Sequence, residues 1–157
     1  MEPPITGPKT EVLEFFILAA ISFWPLAIRQ NIMHKFKKLK IWQKSLQFTK
    51  KIYQLTDKFP NSELFGITSQ LRRASVSIYL NIAEGSASKS DIEFRRFLII
   101  SLKSIYEVVA IIELCKELKY LKPDECIILE KELDDLGAMT NGLINKLKLS
   151  NKKANSQ

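Results

Sequence analysis

The chain has 157 residues and a formal net charge of +7, with 46% hydrophobic and 26% charged residues. This length fits one domain with tails, and the composition excludes both wholesale disorder and a fibrous repeat. Gly and Pro are few, which favours long helices over many short strands.

Residues 1–33 form an N-terminal extension that contains an apolar run over residues 12–28. The run is near the lower limit for a transmembrane helix, although Glu14 and Pro25 interrupt it. As a signal peptide it has a weak basic region. The third interpretation is that translation starts at Met33. These alternatives predict either a membrane-tethered protein or a cytoplasmic one.

Two cysteines, Cys115 and Cys126, are too few for a disulfide framework. Together with the single His34 they do not supply the ligands of a zinc site. We therefore expect reduced thiols, no bound metal and no cofactor.

After Met33 the apolar residues recur at steps of three and four, which is typical of amphipathic helices. The first predicted helix ends before Phe59-Pro60, because Pro60 disfavours helical geometry at Phe59. Its predicted core stripe comprises Leu39, Trp42, Leu46, Thr49 and Tyr53. We expect its aromatic residues Trp42 and Tyr53, like Phe94 and Phe97 further along, to pack in the core.

The second helix is predicted to begin between Leu64 and Thr68 and to end at Glu84-Gly85-Ser86. At its end, Gly85 is expected to take the left-handed C′ conformation that glycine adopts readily. The predicted core stripe consists of Ile67, Leu71, Ala74, Ile78 and Ile82.

Two local signals mark where the last two helices begin. Ser90 followed by Glu93 is a capping-box pattern, so Ser90 is the predicted N-cap of a third helix that runs to about Leu118. Pro123 suits the first position of a fourth helix. The fourth helix should bury Ile127, Leu129, Leu133, Leu136, Leu143 and Leu147.

Four amphipathic helices joined by short loops predict an all-α, antiparallel up-down-up-down four-helix bundle over residues 34–150, followed by a polar tail over residues 151–157. Catalysis is not indicated. With one histidine before the first helix, no nucleophile–base pair can be proposed, and no phosphate-binding glycine motif is present. We therefore expect a protein that is not an enzyme.

A polar seam accompanies the apolar stripe of the second helix. Its members recur at helical spacing beside the core, where half-buried polar groups need partners. Two alternatives remain open: a hydrogen-bond network within one bundle, or a contact between subunits. The members are Gln70, Arg73, Ser77, Asn81 and Glu84, and Arg73 is expected to pair with Glu84.

Charge is distributed unevenly along the chain. Residues 34–110 carry 14 basic and 6 acidic side chains, whereas residues 111–145 carry 4 basic and 8 acidic ones. This asymmetry predicts a polarised surface and favours an anionic partner. The predicted nucleic-acid-binding residues are Arg72, Arg73, Lys89, Arg95 and Arg96.

Residues 39–84 carry a recognisable signature. It includes the runs Gln70-Leu71-Arg72-Arg73-Ala74 and Asn81-Ile82-Ala83-Glu84-Gly85. Over roughly residues 34–150 the chain resembles the bacterial four-helix-bundle proteins of the 23S rRNA intervening-sequence family, also called the S23 family. A related branch resembles the accessory proteins of diversity-generating retroelements.

The resemblance implies an antiparallel bundle that assembles as a homopentameric ring, and it does not imply an enzyme. Two functions follow as expectations. The first is a non-enzymatic, oligomeric accessory protein that binds the RNA or DNA backbone with low sequence specificity. The alternative is a protein-interaction scaffold that docks a partner such as a reverse transcriptase, with incidental nucleic-acid binding. Residues 1–33 lie outside the resemblance, which favours a start at Met33.

Overall fold

A computed structural model describes residues 35–154 of the chain, with side chains described through residue 150. These residues form four α-helices: α1 (Lys40–Thr56), α2 (Ile67–Ser86), α3 (Asp91–Glu117) and α4 (Pro123–Ala154). Short 3-10 helices at Lys35–Lys38 and Asn61–Glu63 precede α1 and α2. No β-strand occurs between residues 35 and 154, so the predicted all-α class with four helices is confirmed.

Each helix packs mainly against two others. α2 lies against α1 and α3, and α4 lies against α3 and α1. One apolar core runs through the middle, and its largest fully buried side chains include Phe48, Ile78, Leu98 and Leu133. Burial of these side chains is the main stabilising contribution to such a domain.

The predicted starts of the last two helices are confirmed. The Ser90 hydroxyl accepts a hydrogen bond from the Glu93 amide at 3.2 Å, which caps α3. α4 begins at Pro123, where the missing amide hydrogen costs no helical hydrogen bond. At the other end α4 continues to Ala154, into residues 151–157 of the predicted polar tail.

The predicted role of Gly85 is wrong. No glycine among the described residues has a positive φ, and Gly85 is a buried residue inside α2. The helix ends instead in a tight turn, in which the Ala87 amide donates to the Glu84 carbonyl. Gly85 is needed for close approach, because a Cβ there would lie 2.6 Å from a Phe94 ring carbon and 2.7 Å from Phe97 Cβ.

The core faces of α1 and α4 also differ from the prediction. On α1 the buried apolar residues are Ile41, Phe48 and Ile52, whereas Tyr53 is 42% exposed. On α4 Cys126 is buried and Ile127 is 66% exposed. Every other predicted core residue of the two helices is buried or partly buried, so the error is confined to one residue in each helix, where the neighbouring helices cover the adjacent position instead.

Three predictions fall on residues 1–33: the membrane anchor over residues 12–28, the signal peptide and the start at Met33. All three lie outside the described residues. Within residues 35–154, no helix combines the length and the apolar character needed to cross a membrane.

Candidate nucleic-acid interface

Segments from all four helices meet at one end of the domain. The Trp42 ring contacts Phe36 at a centroid distance of 4.8 Å and Tyr79 at 6.4 Å, which joins the start of α1 to α2. Gly85 lies against Phe94, and the Ser150 hydroxyl donates to the Asp91 carboxylate. The end of α2, the start of α3 and the end of α4 are therefore neighbours.

This end is strongly basic. We call residues 35–43, 81–96 and 144–150 the basic end. Its acidic side chains are Glu84, Asp91 and Glu93, and its nine basic ones are Lys35, Lys37, Lys38, Lys40, Lys89, Arg95, Arg96, Lys146 and Lys148. Such an excess of positive charge attracts polyanions.

Three of the predicted nucleic-acid-binding residues belong to the basic end. Lys89 is exposed in the turn between α2 and α3, Arg96 is exposed on the first turns of α3, and Arg95 is half-buried. Within the described part of the chain, none of the three makes an ion pair or a side-chain hydrogen bond. Their charges are therefore available to an external anion.

Arg72 is engaged differently. Its Nε donates to Thr56 Oγ1 at 2.7 Å and its Nη2 donates to Asp57 Oδ1 at 2.7 Å. The guanidinium also lies 4.7 Å from the centre of the Tyr53 ring. Arg72 thus ties the end of α1 to α2, and its charge is largely matched by Asp57.

Arg73 belongs to the polar seam and does not pair with Glu84 as predicted. Its Nη2 donates to Gln70 Oε1 at 2.6 Å, and Gln70 Nε2 donates in turn to Glu107 on α3. Three helical turns separate Arg73 from Glu84, which is too far for the two side chains to meet along one helix. A spacing of three, as between Gln70 and Arg73, brings side chains together.

The rest of the seam connects α2 to α3 through small hydroxyls. Ser77 and Ser104 share a hydrogen bond of 2.8 Å between their Oγ atoms, and Asn81 Nδ2 donates to the Ser77 carbonyl at 2.8 Å. Deeper in the contact, Ser101 Oγ donates to the Ile78 carbonyl at 2.9 Å. Four of the five seam residues therefore bond inside the bundle, and Glu84 remains exposed at its edge.

The opposite end of the domain carries the reverse charge. Residues 57–63 and 113–130 meet there, since the Phe59 and Tyr120 rings lie 5.6 Å apart. These segments hold seven acidic and four basic side chains. A hydrogen bond with Glu130, together with Lys116, lowers the pKa of Glu113, and the same bond raises the pKa of Glu130.

The thiols offer no reactive group. Cys115 and Cys126 are free and buried. Burial raises the pKa of the Cys115 thiol to about 11, so it is protonated at neutral pH and unreactive. Among the described residues, no three His, Cys, Asp or Glu side chains cluster closely enough to hold a metal ion.

The fold defines a small all-helical protein with one basic end. The family model described as 23S rRNA-intervening sequence protein matches residues 37–142, and the chain belongs to this family. A comparison with curated proteins finds no match.

A solved relative supports the assignment. The chain is similar to a protein of unknown function from the S23 ribosomal protein family of Bacteroides thetaiotaomicron VPI-5482, whose crystal structure was determined at 1.70 Å resolution. The two are 25% identical with a TM-score of 0.62, and the match covers 66% of this chain and 97% of the relative.

Proposed function

We propose that this protein is a non-enzymatic, oligomeric accessory protein that binds the backbone of RNA or DNA through its basic end. The observation that carries the proposal is the group of cations at Lys89, Arg95 and Arg96, which have no ion-pair partner among residues 35–154 and lie near the lysines of the α1 start and the α4 end. Lysine and arginine at such density bind phosphates with little sequence preference.

The assembly proposed with it is an antiparallel up-down-up-down bundle that forms a homopentameric ring, as the family resemblance implies. The order of contacts between α2 and α3 supports the antiparallel arrangement, because Gln70, Ser77 and Gly85 contact Glu107, Ser104 and Phe94 in turn. A ring would present several basic ends to one nucleic acid, which strengthens binding without any new contact.

The test measures binding of a fluorescent RNA or DNA duplex to the full chain by anisotropy between 50 and 200 mM salt, a range over which backbone-directed affinity falls by orders of magnitude. Replacing Arg95 and Arg96 with Ala should weaken binding and reduce the slope of log affinity against log salt by about one per lost contact. The matched control is Lys58→Ala with Lys122→Ala, which removes the same charge from two exposed positions at the opposite end.

Comparing the arginine variant with the lysine variant distinguishes binding at the basic end from an effect of net charge. The proposal requires the arginine variant to lose more affinity than the lysine variant. Equal losses would show that net charge alone governs binding. A salt slope near zero for the unmodified chain would exclude backbone-directed binding altogether.

A protein-interaction scaffold is the second candidate, and the outer face of α3 favours it. Ile92, Ile99 and Tyr106 recur every seven residues there and are all exposed, and Arg96 and Lys103 lie on the same helix between them. Exposed apolar side chains at this spacing are typical of a surface that docks a partner helix. A protein that co-purifies at fixed stoichiometry after nuclease treatment, and is lost in Tyr106→Asp, would favour this function.

A further inference from the structure

The outer face of α2 carries an open groove of about 760 Å³, which we call the α2 groove. Its lining includes Tyr53 from α1, Leu64 and Phe65 from the loop before α2, and Arg73 and Leu80 from α2 itself. Phe65 is 93% exposed, and Leu64 and Leu80 are also exposed. So many large apolar side chains around one groove mark a contact surface.

A buried polar group supports the same interpretation. Thr68 also lines the α2 groove, and its side chain is almost fully buried. Its hydroxyl has no hydrogen-bond partner among the described residues. Buried hydroxyls are nearly always bonded, so the packing of the bundle leaves a polar group unsatisfied at this groove.

The chain carries a complementary surface on α4. Ile127 is 66% exposed and Ile128 is 55% exposed. Two exposed carboxylates lie on the same side of the helix: Asp124 one turn before the isoleucines and Asp134 about two turns after them. We call these four residues and Lys131, which lies among them, the α4 face. It offers apolar side chains flanked by two carboxylates, whereas the α2 groove offers apolar side chains flanked by Arg72 and Arg73.

We propose that the α4 face of a second copy of this chain occupies the α2 groove. Ile127 and Ile128 would cover Phe65 and Leu80, and the aspartates would approach Arg73, whose charge no carboxylate offsets within the described residues. This occupant is favoured over nucleic acid because it covers the apolar side chains of the groove and also brings carboxylates to Arg73, whereas a polyanion would leave those side chains exposed.

The contact is heterologous, because the groove and the face are different surfaces. α2 and α4 share at most marginal contact within one bundle, so one chain can offer both surfaces at the same time. Repetition of such a contact produces a ring when the rotation closes and a filament when it does not. The inference therefore rests on the oligomeric part of the proposed function and names the two surfaces that build the oligomer.

The experiment uses full-length variants that each lose one surface. Phe65→Asp disables the α2 groove, and Ile127→Asp disables the α4 face. Light scattering after size-exclusion chromatography should find the unmodified chain at a multiple of the monomer mass and each variant at the monomer mass. An equal mixture of the two variants should form a dimer, because one intact groove and one intact face remain. Tyr106→Asp, an equally exposed position on α3, is the control and should keep the full mass.

Several results would overturn the inference. Either variant keeping the full mass, the mixture remaining monomeric, or Tyr106→Asp dissociating the assembly would each contradict it. If the unmodified chain were monomeric, the oligomeric part of the proposed function would also be wrong. Nucleic-acid binding is tested separately, by the anisotropy experiment with the Arg95 and Arg96 variant.

A charge reversal guards against a variant that fails to fold. Circular dichroism first establishes that each variant is helical and melts cooperatively. Arg73→Glu should dissociate the assembly, and adding Asp134→Arg to the same chain should restore it. Dissociation without restoration would place Arg73 in a purely structural role through Gln70 and would contradict the proposed pairing.

Discussion

The contact between α2 and α3 and the contact between α1 and α4 are built in opposite ways. The first uses small residues: Gly85 lies against Phe94 and Phe97, and Ser101 bonds directly to the backbone of α2. The second leaves a cavity of about 360 Å³ above Phe48 and Leu136. Long charged side chains bridge it, with Lys44 3.6 Å from Asp135 and Lys51 bonded to Glu132.

This difference separates two means of joining helices. Where two helices approach closely, many atoms are in van der Waals contact and the hydrogen bonds between the helices are buried. A substitution at such a contact therefore removes packing or leaves a buried polar group without a partner. Ion pairs across a wide, solvated gap hold little free energy, because water and salt screen them. We therefore expect α3 to fix the position of α2 firmly and α4 to be joined to α1 more weakly.

The largest effect is expected at the closest approach. Gly85→Ala places a Cβ 2.7 Å from Phe97 Cβ, which cannot move without its backbone. Overpacking of this kind should lower the free energy of unfolding by about 1–3 kcal/mol, despite the better helix propensity of alanine. Urea denaturation of the variant and of the unmodified chain measures this difference in the free energy of unfolding.

Gly142→Ala is the matched control for this change. It lies in α4, where the new Cβ would have no atom within 4 Å apart from its chain neighbours and the backbone of its own helix, and the change should be neutral or stabilising by up to about 1 kcal/mol. Equal effects at the two glycines would mean that helix propensity alone decides both, and that the α2–α3 contact accommodates the added methyl group.

How much of this fold is predictable from sequence depends on whether the signal is local. Ser90 and Pro123 mark helix starts through their own backbone chemistry, and both positions were predicted correctly. The exposure of Tyr53 on α1 was not, because Tyr53 and Ile52 are adjacent apolar positions and only the neighbouring helices decide which one is covered. Gly85 was misread for the same reason, since the rings that require it come from α3.

The candidate site shows the same division. Composition alone located the basic residues, but it did not separate the cations with internal partners from those without. Arg72 pairs with Asp57 at the end of α1, whereas Arg73 bonds to the neutral amide of Gln70 and keeps a charge that no carboxylate offsets among the described residues. The α4 face was missed because Ile127 was assigned to the core, and its exposure becomes visible only in the packed structure.

An intermediate effect is expected at the buried hydrogen bond between α3 and α2. Ser101→Ala removes the donor to the Ile78 carbonyl at a fully buried position and should lower the free energy of unfolding by about 1 kcal/mol. Ser86→Ala is the control, because the Ser86 hydroxyl bonds to Ala83 in its own helix. Since alanine favours helix, that control should change stability little. A loss at Ser86 as large as at Ser101 would remove the distinction between contacts within a helix and contacts between helices.

The smallest effect is expected across the α1–α4 cavity. Lys44→Gln combined with Lys51→Gln removes both ion pairs, whose four side chains are 36–61% exposed. Because solvent screens such pairs, the free energy of unfolding should fall by no more than about 1 kcal/mol in total, and less at 0.5 M salt than at 0.05 M. Urea denaturation at the two salt concentrations measures both quantities. A loss above about 2 kcal/mol would show that the ion pairs, and not the apolar side chains beneath them, hold α4 against α1. The α1–α4 and α2–α3 contacts would then differ in the kind of interaction but not in how strongly they stabilise the bundle.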